Sequence, residues 1–411
     1  MDVVPSPALR RDRARRTALT AAALALPAGW LARALWGLPT AIGAGRREIR
    51  PTAAGSPQWS HGKFHNTLPT PTLPPPNARR GLLRQWHDDR HVGLPARPVP
   101  LARPEVPAEA GELAVTWFGH SSALLEVDGA RVLVDPVWGH RVSPSPVFGP
   151  TRLHEPPAPV ESLPRVDAVL VSHDHYDHLD LPTVRALVEQ QDAPFVVPLG
   201  VGVHLRHWGV PEDRVVELDW DGATTVGDLT ITCTEARHFS GRYLTRDTTL
   251  WSSWVVAGPR HRVFFGGDTG YTPAFAGIGA RLGPFDLTLL PIGAYNEAWA
   301  HIHMDPEEAV RAHGDLGGGV LLPVHWATFN LAFHRWDEPV QRLLAAAGRS
   351  GVQVLVPRPG QRVDVLAPPP LEDWWTAVGS PGPGTGAHDD AGVSGTVLAR
   401  VLSRLMALRA G

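Results

Sequence analysis

Ten residues, Val171 to Asp180, read VSHDHYDHLD. Four of them, His173, His175, Asp177 and His178, carry side chains that bind metal ions. Imidazole nitrogen suits Zn²⁺, and a carboxylate adds a hard, negatively charged oxygen. The run Asp167 to Val171 ahead of them is short, apolar and β-branched, which predicts a buried strand. In extended backbone His173 and His175, two apart, point to the same side. Asp177 and His178 follow a turn. Leu181 to Gln191 then predicts a helix, with Asp180 as N-cap and Pro182 in its first turn. Donors this close along the chain cannot all wrap one tetrahedral ion. The natural division sets His173 and His175 on one ion and Asp177 and His178 on a neighbour.

Strand ends elsewhere offer more donors. His238 follows a predicted strand Asp228 to Glu235, Asp268 follows Arg262 to Gly266, and His325 follows Val320 to Pro323. Loops at strand ends gather function, although a lone histidine is more often structural. Leu113 to Phe118, Ser122 to Val127 and Arg131 to Val134 read as strands, with Asp128-Gly129 as a hairpin turn. His120, between the first two, either faces the metals or bonds a loop carbonyl. Asp135, at the end of the third, either caps the strand or supports a ligand histidine. Further strands are Phe195 to Pro198, Val215 to Leu218, Thr249 to Val256 and Leu287 to Pro291, with helices Gly202 to Trp208 and Pro306 to His313. Asp305 is the expected N-cap of the last helix, with Glu307 and Glu308 in its positive first turn.

The chain has 411 residues, 43% of them hydrophobic, and a formal charge of −3. That suits one large domain with tails and a sizeable core. It gives no attraction to nucleic acid. One cysteine, Cys233, excludes an intrachain disulfide and a thiolate metal site. Any metal must be held by histidine and carboxylate.

VSHDHYDHLD alone resembles the motif of the metallo-β-lactamase superfamily. With GGDTGY, PIGAYNEAW, HMDPEEAV and PVHWATF, the chain from about Trp59 to Val365 resembles the N-acyl-phosphatidylethanolamine phospholipase D family. The resemblance implies an αββα sandwich of two mixed sheets with outer helices. It implies two Zn²⁺ ions per chain: His173, His175 and His238 on the first, Asp177, His178 and His325 on the second, Asp268 bridging. It makes Asp135 a support of a ligand histidine and puts His303 near the substrate, with His301 as a competitor. Asp177, Asp268 and His303 become the catalytic set. Tyr176 and Tyr295 are the expected substrate contacts, and Trp299, Trp326 and Phe329 look like pocket walls, though core packing explains any of them. The implied reaction is hydrolysis of a phosphodiester in an N-acylated or related phospholipid, releasing phosphatidic acid and the head group. A lactonase or other carboxyl-ester or amide hydrolase on the same metals is the alternative. A non-catalytic metal scaffold is a third class, disfavoured by the complete ligand set.

The domain plan has four parts. Residues 1–50 carry Arg10, Arg11, Arg13, Arg15 and Arg16 ahead of an apolar run, the pattern of an export signal, possible twin-arginine type, or a membrane anchor. An internal amphipathic helix is the other reading. Residues 51–110 are proline-rich; Trp59, Phe64, Leu82 and Trp86 mark them as a strap packed on the domain rather than a free linker. Residues 111–370 form the catalytic domain. Residues 371–411 hold a flexible linker and a basic amphipathic helix, Thr396 to Ala410, suited to a membrane surface, a partner or its own domain. The expected partners are a phospholipid, a membrane surface and, in a homodimer, a second copy.

Overall fold

Near-continuous apolar runs, buried on both faces, build two seven-stranded sheets. The structure, a computed structural model, describes residues 29–30, 32–71, 81, 84–85, 89, 91–242 and 246–380. The basic stretch Arg10 to Arg16, Leu82 and Trp86 of the strap, and the helix expected over Thr396 to Ala410 lie outside them.

A small ribbon comes first, β1 (Trp59–Ser60) paired with β2 (Lys63–Phe64). The first large sheet takes β3 (Leu113–Gly119), β4 (Ser122–Val127), β5 (Ala130–Val134), β6 (Ala168–Leu170), β7 (Phe195–Pro198) and β8 (Val215–Leu218). The second takes β9 (Ala223–Val226), β10 (Leu229–Thr234), β11 (Ser253–Ala257), β12 (Arg262–Phe265), β13 (Phe285–Pro291), β14 (Gly318–Val324) and β15 (Gln353–Val354). The chain then returns to the first sheet as β16 (Arg362–Asp364), beside β3. Each sheet is mixed. Pairs from β16 to β5 are antiparallel and those from β5 to β8 parallel. Likewise β9 to β12 are antiparallel and β12 to β15 parallel.

The pleat sorts the side chains. Val132 and Val134 of β5 and Val196 of β7 join a core shared with Ile231, Trp254, Phe264, Leu289 and Leu322 of the second sheet. Their neighbours Leu133, Phe195 and Val197 point the other way, onto helices α1 (Leu181–Gln190) and α2 (Val201–His207). The other sheet is covered by α3 (Ala274–Leu282), α4 (Pro306–Leu316) and α5 (Glu338–Ser350). This is the αββα arrangement.

Local signals behave as expected at several ends. Asp180 accepts from Thr183 N–H to cap α1, and Asp305 with Glu308 forms a capping box on α4. Asp128 and Gly129 both take positive φ, as a type I′ hairpin requires. The strand expected from Thr249 begins at Ser253; Thr249 to Ser252 instead belong to the loop after β10.

Contacts divide the chain into two units. The larger comprises residues 43–142 and 150–390 and holds both sheets. In the described part of the smaller, Trp30 packs edge-on against Phe148, and Ser145 Oγ donates to Ala34 O at 2.8 Å. Trp36 there is 81% exposed. No helix among the described residues is long and apolar enough to cross a membrane.

Candidate metal centre

The ends of five strands converge on one spot. The loop after β6 brings His173 to His178; β10 leads to His238, β12 to Asp268 and β14 to His325. The β3–β4 turn adds His120. Two four-residue clusters of close donor atoms result, His173, His175, His238 and Asp268 in one and His120, Asp177, His178 and His325 in the other, and a third group, Asp268, His303 and His325, overlaps them. Asp268 touches both. Its Oδ2 lies 3.7 and 4.0 Å from the Nε2 atoms of His238 and His173, and 3.2 and 3.0 Å from those of His178 and His325.

Hydrogen bonds fix which ring nitrogen faces inward. His178 Nδ1 donates to Asp135 Oδ2 at 2.6 Å. His173 Nδ1 donates to Ser172 Oγ at 2.9 Å, and that hydroxyl donates to Asp135 Oδ2 at 2.6 Å. His238 Nδ1 donates to Ile302 O at 2.8 Å. Each ring then presents an Nε2 lone pair to the cluster, the arrangement that outer partners impose on metal-binding histidine. Asp135 therefore supports two of these histidines, through one direct bond and one relay.

The residues fit a cation by a simple test. His175 Nδ1 lies 2.8 Å from His173 Nε2 and 3.4 Å from His238 Nε2. Lone pairs at that range repel unless something positive lies between them. Two ligands on a tetrahedral Zn²⁺, with bonds of about 2.0–2.1 Å, stand about 3.4 Å apart. The second cluster is similar: Asp177 Oδ2 is 3.5 Å from His178 Nε2 and 3.4 Å from His325 Nε2. Asp268 Oδ1 and the Nε2 atoms of His178 and His325 are buried and lack an aligned hydrogen bond.

Electrostatics agree. Burial, with the neighbouring histidines adding to it, drives His173 and His238 well below the ordinary imidazole range. Burial also opposes charge on His178 and His325, yet Asp268 and Asp177 outweigh it. They push His178 well above that range and His325 up to about 9. Where a site holds protons on histidine this firmly, a divalent cation can replace them. His120 stays neutral, pushed by burial down to about 3, and its Nε2 lies 3.0 Å from Asp177 Oδ2.

A cavity of about 290 Å³ opens over the clusters. Its apolar lining comes from Phe239, Ala294, Trp299, Ile302 and Leu331; His303 and Arg246 supply the polar side. His303 Nδ1 is 3.9 Å from Asp268 Oδ2, and burial holds the ring neutral, with its pKa down to about 4. His303 also lines a neighbouring polar cavity of about 570 Å³ with Tyr295, Glu308, Glu338 and Arg342. A larger cavity, about 900 Å³, shares no residue with either cluster.

Several expected contacts lie elsewhere. Tyr176 does not line the cavity over the clusters; its ring lies against the buried Arg242 guanidinium, 4.0 Å away. Tyr295 lies in the neighbouring cavity, with its hydroxyl donating to Glu338 at 2.6 Å. His301 is exposed and lines neither cavity. Trp326 is core, stacked on Trp117, and Phe329 packs edge-on against His120. Trp299 is a wall. Sequence reasoning missed Phe239, Arg246 and Leu331. Arg246 stacks on Phe239 at 4.1 Å, and Phe239 in turn packs on His175.

A family model described as a β-lactamase superfamily domain matches residues 130–326. An uncharacterized protein of Mycobacterium tuberculosis is 58% identical over 367 residues, spanning 88% of this chain and 99% of its own. The N-acyl-phosphatidylethanolamine-hydrolyzing phospholipase D 1 of Caenorhabditis elegans is 38% identical over 235 residues, or 54% of this chain and 65% of the worm protein. A solved metallo hydrolase from Ignicoccus hospitalis is 25% identical with a TM-score of 0.47, covering 61% of this chain and 97% of that one. The chain belongs to the metallo-β-lactamase superfamily and is a metal-dependent hydrolase of that family.

Proposed function

We propose that the chain is a dinuclear zinc phosphodiesterase acting on an N-acylated or related phospholipid. His173, His175 and His238 would hold one ion and Asp177, His178 and His325 the other, with Asp268 between them. The observation that carries this is Asp268 Oδ2, within 3.0 to 4.0 Å of histidine nitrogens from both clusters. Imidazole and carboxylate donors without thiolate suit Zn²⁺.

When bound, two such ions supply Lewis acidity for a phosphoryl oxygen and make water nucleophilic near neutral pH. In the reaction water adds to phosphorus, the P–O bond to the head group breaks, and the proton lost by water ends on the leaving oxygen. Asp177 and Asp268 are the bases beside that point, and neutral His303 donates a hydrogen bond to a phosphate oxygen. His120 donates to Asp177 and keeps it in place. Two divalent ions would outweigh Asp177, Asp268 and Asp135, and Arg246, whose Nε lies 3.8 Å from Asp247 Oδ2, faces the same cavity. An anionic phosphodiester suits such a cavity better than a neutral lactone. At about 290 Å³ it is at the small end of small-molecule sites, so it takes the phosphate and its neighbours while the acyl chains run out over the rim. The similarity to the worm phospholipase D supports the same class.

A membrane surface is the proposed setting, with the residues ahead of the larger unit, 1–42, as export signal or anchor; Ala44 N–H donates to His204 Nδ1 at 3.0 Å and Ile49 is buried, so 43–50 belong to the larger unit. Trp30, Leu35 and Trp36, all exposed, suit the headgroup region of a bilayer.

The test is a comparison on purified protein of known metal content. A phosphodiester lipid, a lactone and a carboxyl ester of similar chain length are assayed side by side. Two zinc ions per chain and chelator-sensitive cleavage of the phosphodiester are expected. Ready opening of lactones with every phosphodiester left intact replaces this reading with the carboxyl-hydrolase one.

A further inference from the structure

Asn66, in the strap after β2, is half-buried, and its amide lies along the backbone of His238. Its Nδ2 donates to His238 O at 2.7 Å, and its Oδ1 accepts from His238 N–H at 3.1 Å. The same Oδ1 accepts from Trp251 Nε1 at 3.0 Å. One side chain thus pairs both backbone groups of one residue, as a neighbouring strand would. The service is needed there: sheet pairing of β10 with β11 ends at Thr234, four residues short of His238.

The strap also braces the two residues Glu235 and Arg237 ahead of His238. Thr67 Oγ1 donates to Glu235 Oε2 at 3.0 Å. Arg237 donates to Thr70 Oγ1 at 3.1 Å and to Pro69 O at 2.9 Å. His238 is then held at two points, its ring by Ile302 O and its backbone by Asn66. An imidazole fixed at only one of them can swing its Nε2 by more than a metal–ligand bond tolerates. None of these strap residues falls within the 130–326 matched by the family model.

We propose that Asn66 is a positioning residue of the metal centre, fixing the backbone of His238 so that its Nε2 stays in line with His173 and His175. This rests on the reading of His238 as a ligand. Loss of an outer partner of a ligand histidine typically lowers metal affinity 10- to 100-fold.

The experiment is metal titration of the full-length chain against a chromophoric chelator, with the visible spectrum of the Co²⁺-loaded protein as second readout. Wild type, Asn66→Ala and Thr67→Ala are compared. Thr67→Ala removes a strap bond of the same loop without touching His238. The expected result is a 10- to 100-fold weaker site and an altered Co²⁺ spectrum in Asn66→Ala only, with far-ultraviolet circular dichroism unchanged. Wild-type affinity in Asn66→Ala overturns the proposal, and so does an equal loss in both variants. Should Asn66→Ala not fold, Asn66→Asp takes its place. It keeps the acceptor but sets a carboxylate oxygen against the His238 carbonyl; weakened metal binding supports the proposal and wild-type binding refutes it. A wild type that binds no metal overturns the ligand reading and this proposal together. The titration uses no substrate, so failure of the phosphodiester reading is seen separately, in the assay of wild type.

Discussion

Arg246 and His303 approach the same cavity with different chemistry, and their variants should fail differently. Arg246 carries a charge but lies one aromatic ring away from His175, stacked on Phe239. Its Nε lies 3.8 Å from Asp247 Oδ2, and on the proposed reading its charge also meets that of the substrate. A hydrogen bond to a charged group is worth roughly 1.5–3 kcal/mol, so Arg246→Ala should raise KM for an anionic phosphodiester by about tenfold or more. A neutral ester of similar size should be cleaved as by wild type. Equal losses on both substrates would show that Arg246 does not read charge. His303 is neutral and close to Asp268. His303→Ala should lower phosphodiester turnover by about 10²-fold, as loss of a positioned donor can. Metal content should stay at the wild-type value; if the ions leave with the side chain, His303 is a ligand instead.

Among the elements, the turn after β12 has little room. Gly267 has φ +56, and a Cβ there would lie 2.5 Å from Ser172 Cβ, the residue that relays Asp135 to His173. Gly267→Ala should cost about 2–4 kcal/mol through left-handed strain and crowding, and should displace Asp268 as well. Gly277 in α3 is the contrast, since a Cβ there meets nothing within 4 Å. Gly277→Ala should stabilise by about 0.5–1 kcal/mol. Urea unfolding of the two variants reads both signs. The same glycines bear on what the sequence disclosed. Gly277 and Gly279 weakened the helical signal of α3, which went unread, and β15 and β16 are too short to show a period. Donors at strand ends were legible because a strand run, a turn and a histidine are local patterns. Arg246 was not, since only the folding of the loop between β10 and β11 past His238 brings it to the cavity. Tyr176 shows the opposite trap: it neighbours the expected ligands in sequence, yet the turn presents it to Arg242. Asn66 was equally invisible, because the distance from it to His238 along the chain is 172 residues.

At the scale of the whole molecule, the centre joins the two sheets. His173 to His178 follow a strand of the first sheet, whereas His238, Asp268 and His325 follow strands of the second. Ions bound between them would tie the sheets together at one edge and bind only the folded chain. A ligand at 100 times its Kd stabilises by about 2.7 kcal/mol per site, so two sites give about 5 kcal/mol. For a domain of this size that corresponds to a Tm shift on the order of 10 °C. Cys233 supplies an internal reporter. Its side chain is fully buried in the core between the sheets, and burial pushes its thiol well above the ordinary range, so it is inert while the fold is closed. Chelation should lower the calorimetric Tm by on the order of 10 °C, and should bring forward, by a similar interval, the temperature at which Cys233 reacts with a thiol reagent. Restoring zinc should reverse both. If chelated and zinc-loaded protein melt together and expose Cys233 together, the ions do not link the two sheets, and the dinuclear centre as drawn is wrong.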